Sequence, residues 1–153
     1  MEKLKINSNL KNITIIERFV EEISEKYHLQ DTHYGNILVC LTEAFCNAVI
    51  HGNENDPEKF VTVHFDPLQR GISFKISDEG KGFDPDKVGN PITDDPEKGR
   101  GLFLIQTLSD EVNISDHGRC IEMVFDIEGI GQKTMDQRKN LFNQYYNKIK
   151  HKA

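Results

Sequence analysis

The segment LTEAFCNAVIHGNEN, residues 41–55, carries Glu43, Asn47 and His51 at four-residue intervals in a mostly apolar stretch. Residues four apart on an α-helix lie about 40° apart around its axis, so Glu43 and Asn47 project together while His51 trails at the edge of the same surface. A carboxylate, an amide and an imidazole would then bring hydrogen-bonding and titratable groups to one place. Taken alone, the row is better explained as a helix end at which Asn47 and His51 satisfy local backbone groups.

A second group of chemically capable residues lies in SDEGKGFD, where Asp78 ends an expected strand and Gly80 and Gly82 follow it. Glycine adopts positive φ easily and lets the backbone approach a flat ligand closely. A carboxylate at a strand end can accept a hydrogen bond from an exocyclic amine such as that of adenine. A simple turn explains this segment almost as well.

The third group is EKGRGLFLIQTLSDEV, in which Gly99 and Gly101 come just before an expected helix. The first N–H groups of a helix are free and lie at the positive end of its dipole, so phosphate binds there readily when glycine removes the steric bar. A flexible helix start is the alternative. Three such segments in this order, the last two separated by the polar 16-residue loop 83–98, are harder to explain as local structure.

Hydrophobic periodicity predicts the elements that would position these residues. KLKIN indicates a short strand, and Ser8 or Asn9 can cap a first helix. A second helix runs from Asp31 or Thr32 to His51, with Gly52 placed to end it. Alternating apolar residues predict antiparallel hairpins around DPLQRG and DHGR, and a short helix begins just after Gly101. The helical stripes are Ile13, Ile16, Val20, Ile23 and Tyr27, then Ile37, Leu38, Leu41, Ala44, Phe45 and Ala48, then Leu102, Ile105 and Leu108.

This order of elements predicts an α+β fold: a two-layer sandwich in which helices cover one face of a mixed, mostly antiparallel sheet. The chain of 153 residues suits one such domain, expected over residues 1–128. Residues 129–153 are basic and polar, and they place Phe142, Tyr145, Tyr146 and Ile149 at helical spacing. We expect a C-terminal helical extension that packs on the domain or on a second subunit.

Composition and charge limit the kinds of binding partner and the cellular compartment that we expect for this protein. The formal net charge of -6 gives no overall positive field for phosphate backbones, so nucleic acid is not an expected partner. The start MEKLKINSNL lacks the apolar run of a secretory signal, and no segment approaches the roughly 18 apolar residues that span a bilayer. Three cysteines without close pairing favour a reducing cytoplasm. We expect Cys40 and Cys46, on different faces of one helix, to be core residues.

Together the three segments resemble the motifs of the GHKL ATPases, and within them the small stand-alone anti-sigma-factor serine/threonine kinases of bacteria. EAFCNAVIHG resembles the N box of that family, DEGKGFD its first glycine box and GRGLFLIQTLSDEV its second. The resemblance covers roughly residues 8–127. One departure is HGRCIEM, which has Arg119 after Gly118 where the family often carries Gly-Thr.

The resemblance implies a site for ATP and Mg²⁺. Glu43 would be the catalytic base, and Asn47 would supply an amide oxygen to Mg²⁺, a cation that prefers oxygen ligands. Asp78 would bind adenine in a pocket shaped by Gly80 and Gly82. The other implied nucleotide-binding residues are His51, Lys98, Gly99, Arg100, Gly101 and Leu102.

The resemblance also implies partners: a sigma factor, a small anti-anti-sigma antagonist that is phosphorylated, and a second copy of the chain. A non-catalytic switch, in which the bound nucleotide sets partner affinity, is predicted by the same motifs. A sensor histidine kinase fragment fits the fold, but only 42 residues precede Glu43, and His28 and His33 lie at helix ends where exposed histidines are common. No His or Cys spacing indicates zinc.

Overall fold

The computed structural model describes residues 2–82, 99–127 and 140–149. Strand β1 (Glu2–Asn7) comes first, and a 3₁₀ turn (Leu10–Asn12) leads into helix α1 (Ile13–Lys26). Asn9 caps that turn because its side chain accepts a hydrogen bond from the Lys11 backbone N–H at 3.0 Å. The predicted apolar stripe of α1 is confirmed, since Ile16, Val20 and Ile23 are buried.

Helix α2 (Asp31–Asn47) begins at the predicted residue, but its regular part ends earlier than expected. Ala48–Gly52 form a π-helical turn, in which the Asn53 N–H bonds to the Ala48 carbonyl five residues back at 2.7 Å. The chain therefore leaves the helix through a wide turn that extends the polar row of α2 as far as His51.

Five strands form one sheet in the order β1-β2-β3-β5-β4, and each neighbouring pair is antiparallel. The strands after β1 are β2 (Phe60–Leu68), β3 (Gly71–Ser77), β4 (Glu111–Ser115) and β5 (Cys120–Asp126). Helix α3 (Arg100–Leu108) lies between β3 and β4 in the chain. The predicted α+β sandwich is confirmed and both predicted hairpins form; the sheet, predicted as mixed and mostly antiparallel, has only antiparallel neighbours among the described strands.

The core lies between one sheet face and the helices. Val61, Val63 and Phe65 of β2 alternate inward, as the sequence predicts. Phe74 on β3 joins the layers: its ring centroid lies 5.2 Å from that of Phe65 and 6.3 Å from that of Phe19 on α1. This packing fixes α1 and α2 on the sheet and so fixes the polar row relative to the end of β3.

Residues 140–149 form a further helix, α4. Its Tyr145 is buried, and the Tyr145 ring centroid lies 5.8 Å from that of Phe103 on α3. The next residue, Tyr146, which the sequence predicts on the same apolar stripe, is exposed. The predicted boundary between residues 128 and 129 lies outside the described residues. No helix in the described ranges is long and apolar enough to cross a membrane.

Candidate functional site

A cleft of about 470 Å³ opens where the end of α2, the turn after β3 and the start of α3 meet, a size typical of small-molecule sites. Its walls combine polar groups with the buried apolar side chains of Ile76, Leu102 and Ile121. The predicted site residues that line it are Glu43, Asn47, His51, Asp78, Gly82, Gly99, Arg100, Gly101 and Leu102. The structure thus brings the three sequence segments together in one place.

The polar row of α2 faces this cleft. The Glu43 side chain is 19% exposed, and Asn47 lies one turn further along beside Gly101. A Cβ atom at position 101 would lie 2.6 Å from Asn47 Nδ2, so only glycine lets α3 approach α2 this closely. Gly101 therefore keeps the amide of Asn47 at the start of α3.

At the start of α3, Gly99 has a left-handed φ of 73°, and its carbonyl accepts the Phe103 N–H at 3.0 Å. The first N–H groups of a helix have no partner within the helix, and the residues that carry them here, Arg100, Gly101 and Leu102, line the cleft. Arg100 Nε lies 3.7 Å from Glu43 Oε1, and the Arg100 side chain is 45% exposed. A phosphate entering here would meet helix N–H groups and a guanidinium that already lies beside the carboxylate of Glu43.

Asp78 follows β3, and its side chain is fixed from within its own turn. Asp78 Oδ1 accepts the Gly80 N–H at 2.8 Å, and the Asp78 N–H donates to the Arg119 carbonyl at 2.9 Å. Burial raises the pKa of Asp78, while the Gly80 hydrogen bond and the Arg119 charge lower it. The carboxylate therefore lies at the cleft wall, partly out of water, with a second oxygen for a ligand.

Gly80 and Gly82 have different positions. Gly82 lines the cleft, whereas Gly80 packs on the carbonyl of Gly52, where a Cβ atom would collide. Gly80 thus supports the turn rather than the cleft wall. Lys98, the remaining predicted nucleotide-binding residue, lies outside the described residues, as does the rest of loop 83–98.

The sequence reading missed two residues of this site. The prediction that Cys46 lies in the core is wrong, because Cys46 is half-buried and lines the cleft. Burial raises the pKa of Cys46, the Glu43 charge raises it further, and Arg100 opposes this. Asn53 is fully buried; its Oδ1 accepts the Glu79 N–H at 2.8 Å and its Nδ2 donates to the Phe60 carbonyl at 3.0 Å. It joins the end of α2 to the Asp78 turn.

Residues 6–125 match the histidine kinase-like ATPase domain family. The chain belongs to this family. Because the match includes every described residue of the cleft, this ATPase domain is also the part of the chain that carries the site. Membership makes the chain an ATP-binding protein.

Three relatives that are similar to this ATPase domain in sequence are named serine-protein kinase RsbW. The chain is 23% identical over 124 residues to the serine-protein kinase RsbW of Bacillus subtilis, covering 75% of this chain and 78% of the relative. It is 24% identical over 131 residues to RsbW of Bacillus cereus, covering 79% and 81%. It is 36% identical over 96 residues to RsbW of Staphylococcus aureus, covering 56% and 60%.

The donor set of this ATPase domain fits a magnesium ion carried in by a nucleotide. Asn47 would supply one amide oxygen, and in the described part of the chain no group of three or more His, Cys, Asp or Glu could form a separate metal cage. Mg²⁺ is commonly held by one or two protein oxygens together with phosphates and waters. Asn47, one helical turn from Glu43 and against Gly101, is placed for that role.

Proposed function

We propose that this chain is an ATP-dependent serine/threonine protein kinase that phosphorylates a small antagonist protein and also binds a sigma factor. One observation carries the proposal: Glu43 and Asn47 on α2 line the same cleft as Asp78 and the glycine-flanked start of α3. Relatives named serine-protein kinase share this ATPase domain. The sigma factor and the antagonist come from the resemblance to anti-sigma-factor kinases.

In the proposed complex, adenine lies between the apolar wall formed by Ile76 and Ile121 and the carboxylate of Asp78. The exocyclic amine donates to the Asp78 oxygen that Gly80 leaves free. The triphosphate then points toward residues 99–102, where the first N–H groups of α3 and the Arg100 guanidinium can bind it. Mg²⁺, held through Asn47, would neutralise phosphate charge.

Glu43 is the proposed general base. Its carboxylate accepts the hydroxyl proton of the substrate serine as the serine oxygen attacks the γ-phosphorus; the bond from that phosphorus to the β,γ-bridging oxygen breaks and ADP leaves. Arg100 Nε lies 3.7 Å from Oε1 of this base. We expect the phosphates to compete for Arg100, because they offer it more negative charge than Glu43 does.

The experiment is transfer of labelled phosphate from ATP to a purified antagonist protein. Wild-type protein should label the antagonist at serine or threonine, and Glu43→Ala should bind ATP without transferring it. Transfer at the wild-type rate by Glu43→Ala would remove Glu43 from this role. If neither protein transfers phosphate while partner affinity differs between the ADP and ATP forms, the non-catalytic switch replaces the kinase.

Assembly and location complete the proposal. A homodimer, a cytoplasmic location and the absence of nucleic-acid and membrane partners are predictions from sequence and resemblance. Light scattering on the purified chain with and without ATP tests the dimer, and a monomer at all concentrations would overturn it. Co-purification with a sigma factor in the presence of ATP or ADP tests the partner.

A further inference from the structure

Two turns meet beside the Asp78 carboxylate. Residues 78–82 form the first, and the 3₁₀ turn Asp116–Gly118 between β4 and β5 forms the second. Gly82 has a φ of 85°, and a Cβ atom there would collide with the His117 carbonyl oxygen. Asp116, His117 and Gly118 also have positive φ, at 53°, 56° and 87°. Such a run of left-handed residues needs support from its surroundings.

Arg119 supplies that support and joins the two turns. Its Nη2 lies 2.9 Å from Asp116 Oδ1 and its Nε lies 3.2 Å from Asp116 Oδ2, so one carboxylate holds the guanidinium by two bonds. Its Nη1 donates to the Gly80 carbonyl at 3.4 Å, and its own carbonyl accepts the Asp78 N–H at 2.9 Å. Both the backbone and the side chain of Arg119 therefore bind the turn that carries Asp78.

The contacts have a chemical consequence for Asp78. Its burial disfavours the charged carboxylate, whereas the neighbouring Arg119 favours it. Among the described residues, the other charged groups that act on this carboxylate are Asp116, which opposes ionisation, and Lys59, which favours it; His51 lines the same cleft. A neutral carboxyl group would accept an amine hydrogen bond less well than an ionised one.

We propose that Asp116 and Arg119 form a clasp that positions the 78–82 turn and so sets the affinity and selectivity of the cleft for adenine. The proposal rests on the proposed ATP site. Arg119 is a positioning residue, since it acts through Asp78 and Gly80. It stands where the resembled family often has threonine, which lacks both the charge and the planar fork of arginine.

The test compares ATP with inosine triphosphate, which carries a carbonyl in place of the exocyclic amine. Calorimetry gives Kd for both nucleotides with wild type, Arg119→Gln and Asp116→Asn. In Arg119→Gln we expect the Kd for ATP to rise about 10-fold and that for inosine triphosphate less than about 3-fold, because only ATP uses the positioned carboxylate. Asp116→Asn should shift the ratio of the Kd for ATP to the Kd for inosine triphosphate in the same direction. The double variant Asp116→Asn/Arg119→Gln should shift this ratio little more than either single variant does.

Two further variants separate charge from geometry. Lys59→Gln removes a second cation that acts on Asp78 but is not part of the clasp, so it should leave the ratio of the two Kd values unchanged. Arg119→Lys retains charge without the fork, so it should keep the wild-type pH profile but recover selectivity only in part.

The pH profile gives a readout that a purely structural role would not change. Binding of ATP should weaken as pH falls through the pKa of Asp78. Loss of Arg119 raises that pKa, so in Arg119→Gln the weakening should begin at higher pH than in wild type.

The measurements distinguish failure of the proposed ATP-binding function from failure of the clasp. If wild type binds no ATP, the proposed function fails. If wild type binds ATP and Arg119→Gln lowers the melting temperature but keeps both the ATP-to-inosine ratio and the pH profile, the clasp alone is overturned.

Discussion

At residues 78–82, the base end of the cleft, three parts of the chain hold one short turn. Asn53 accepts the Glu79 N–H from the end of α2, Asp78 accepts the Gly80 N–H within the turn, and Arg119 donates to the Gly80 carbonyl from the start of β5. At residues 99–102, the phosphate end, the Arg100 side chain is nearly half exposed, and its ion-pair contact with Glu43 measures 3.7 Å. An ion pair at that distance, with its arginine nearly half exposed, contributes little to stability.

The comparison indicates a division of labour. The base end is held by contacts within the chain, so it can select a nucleotide by the position of fixed groups. The phosphate end leaves its charged groups free to rearrange around a triphosphate and a metal ion. Substitutions at the base end should therefore affect both folding and binding, whereas those at the phosphate end should affect binding or transfer alone.

The largest expected effect is on phosphoryl transfer. Glu43→Gln should lower the transfer rate by about 10²- to 10⁴-fold, because the amide cannot take the serine proton, while the Kd for ATP changes less than about 3-fold. Single-turnover transfer and calorimetry measure the two quantities. Glu21→Gln, an exposed position on α1, is the matched control and should behave as wild type. Comparable losses of rate and of ATP affinity would contradict the assigned role.

Asn53→Ala tests the organised base end. It leaves the Glu79 N–H and the Phe60 carbonyl without their partner, so the free energy of unfolding should fall by about 2–4 kcal/mol. The Kd for ATP should rise as well, because the turn is no longer tied to α2. Chemical denaturation measures the free energy of unfolding, and the substitution Asn113→Ala at an exposed position is the control. Lost stability with unchanged ATP affinity would break the link between the turn and the ligand.

Arg100→Met sharpens the contrast at the other end. The methionine side chain is flexible like that of arginine but carries no charge. The Kd for ATP should therefore rise about 5- to 10-fold, while the Kd for adenosine stays constant. The free energy of unfolding should change by no more than about 0.5 kcal/mol, because the Arg100 side chain is nearly half exposed and its contact with Glu43 is long. Equal weakening of ATP and adenosine would place Arg100 at the base end instead.

The smallest effect concerns Cys46, whose thiol reports the charges around it. Because burial and the Glu43 charge raise the pKa of Cys46, less reactive thiolate is present at a given pH. Glu43→Gln should lower that pKa and speed alkylation of Cys46 by iodoacetamide at pH 8 by about 2- to 5-fold. Peptide mapping distinguishes this thiol from Cys40 and Cys120. An unchanged or slower rate would show that Glu43 does not face Cys46 in solution.

Features set by local spacing could be predicted from the sequence. The four-residue interval placed Glu43 and Asn47 on one surface, and glycines marked the turn after β3 and the start of α3. Cys46 was missed because helical periodicity assigns faces but cannot show that the cleft extends around α2 to this residue. Gly80 could be assigned to a turn, yet its contact with Gly52 depends on how two distant segments pack.

The supporting residues could not be predicted for the same physical reason. The partner of Asn53 is the N–H of Glu79, 26 positions away, and that of Arg119 is the carbonyl of Gly80, 39 positions away. The Arg119 contact depends on β5 lying beside β3, a strand order that periodicity does not specify. The sequence therefore reveals groups that can meet a ligand more readily than groups that hold them in place.

The most direct measurement is calorimetric titration of ATP, with magnesium present, into wild-type protein and Asp78→Asn. We expect saturable one-to-one binding by wild type and at least about 10-fold weaker binding by Asp78→Asn, since the amide can present its NH₂ group to the adenine amine and carries no charge. A folded wild-type chain that gives no binding heat with millimolar ATP, or an Asp78→Asn variant that binds as tightly as wild type, would contradict the assignment of this cleft.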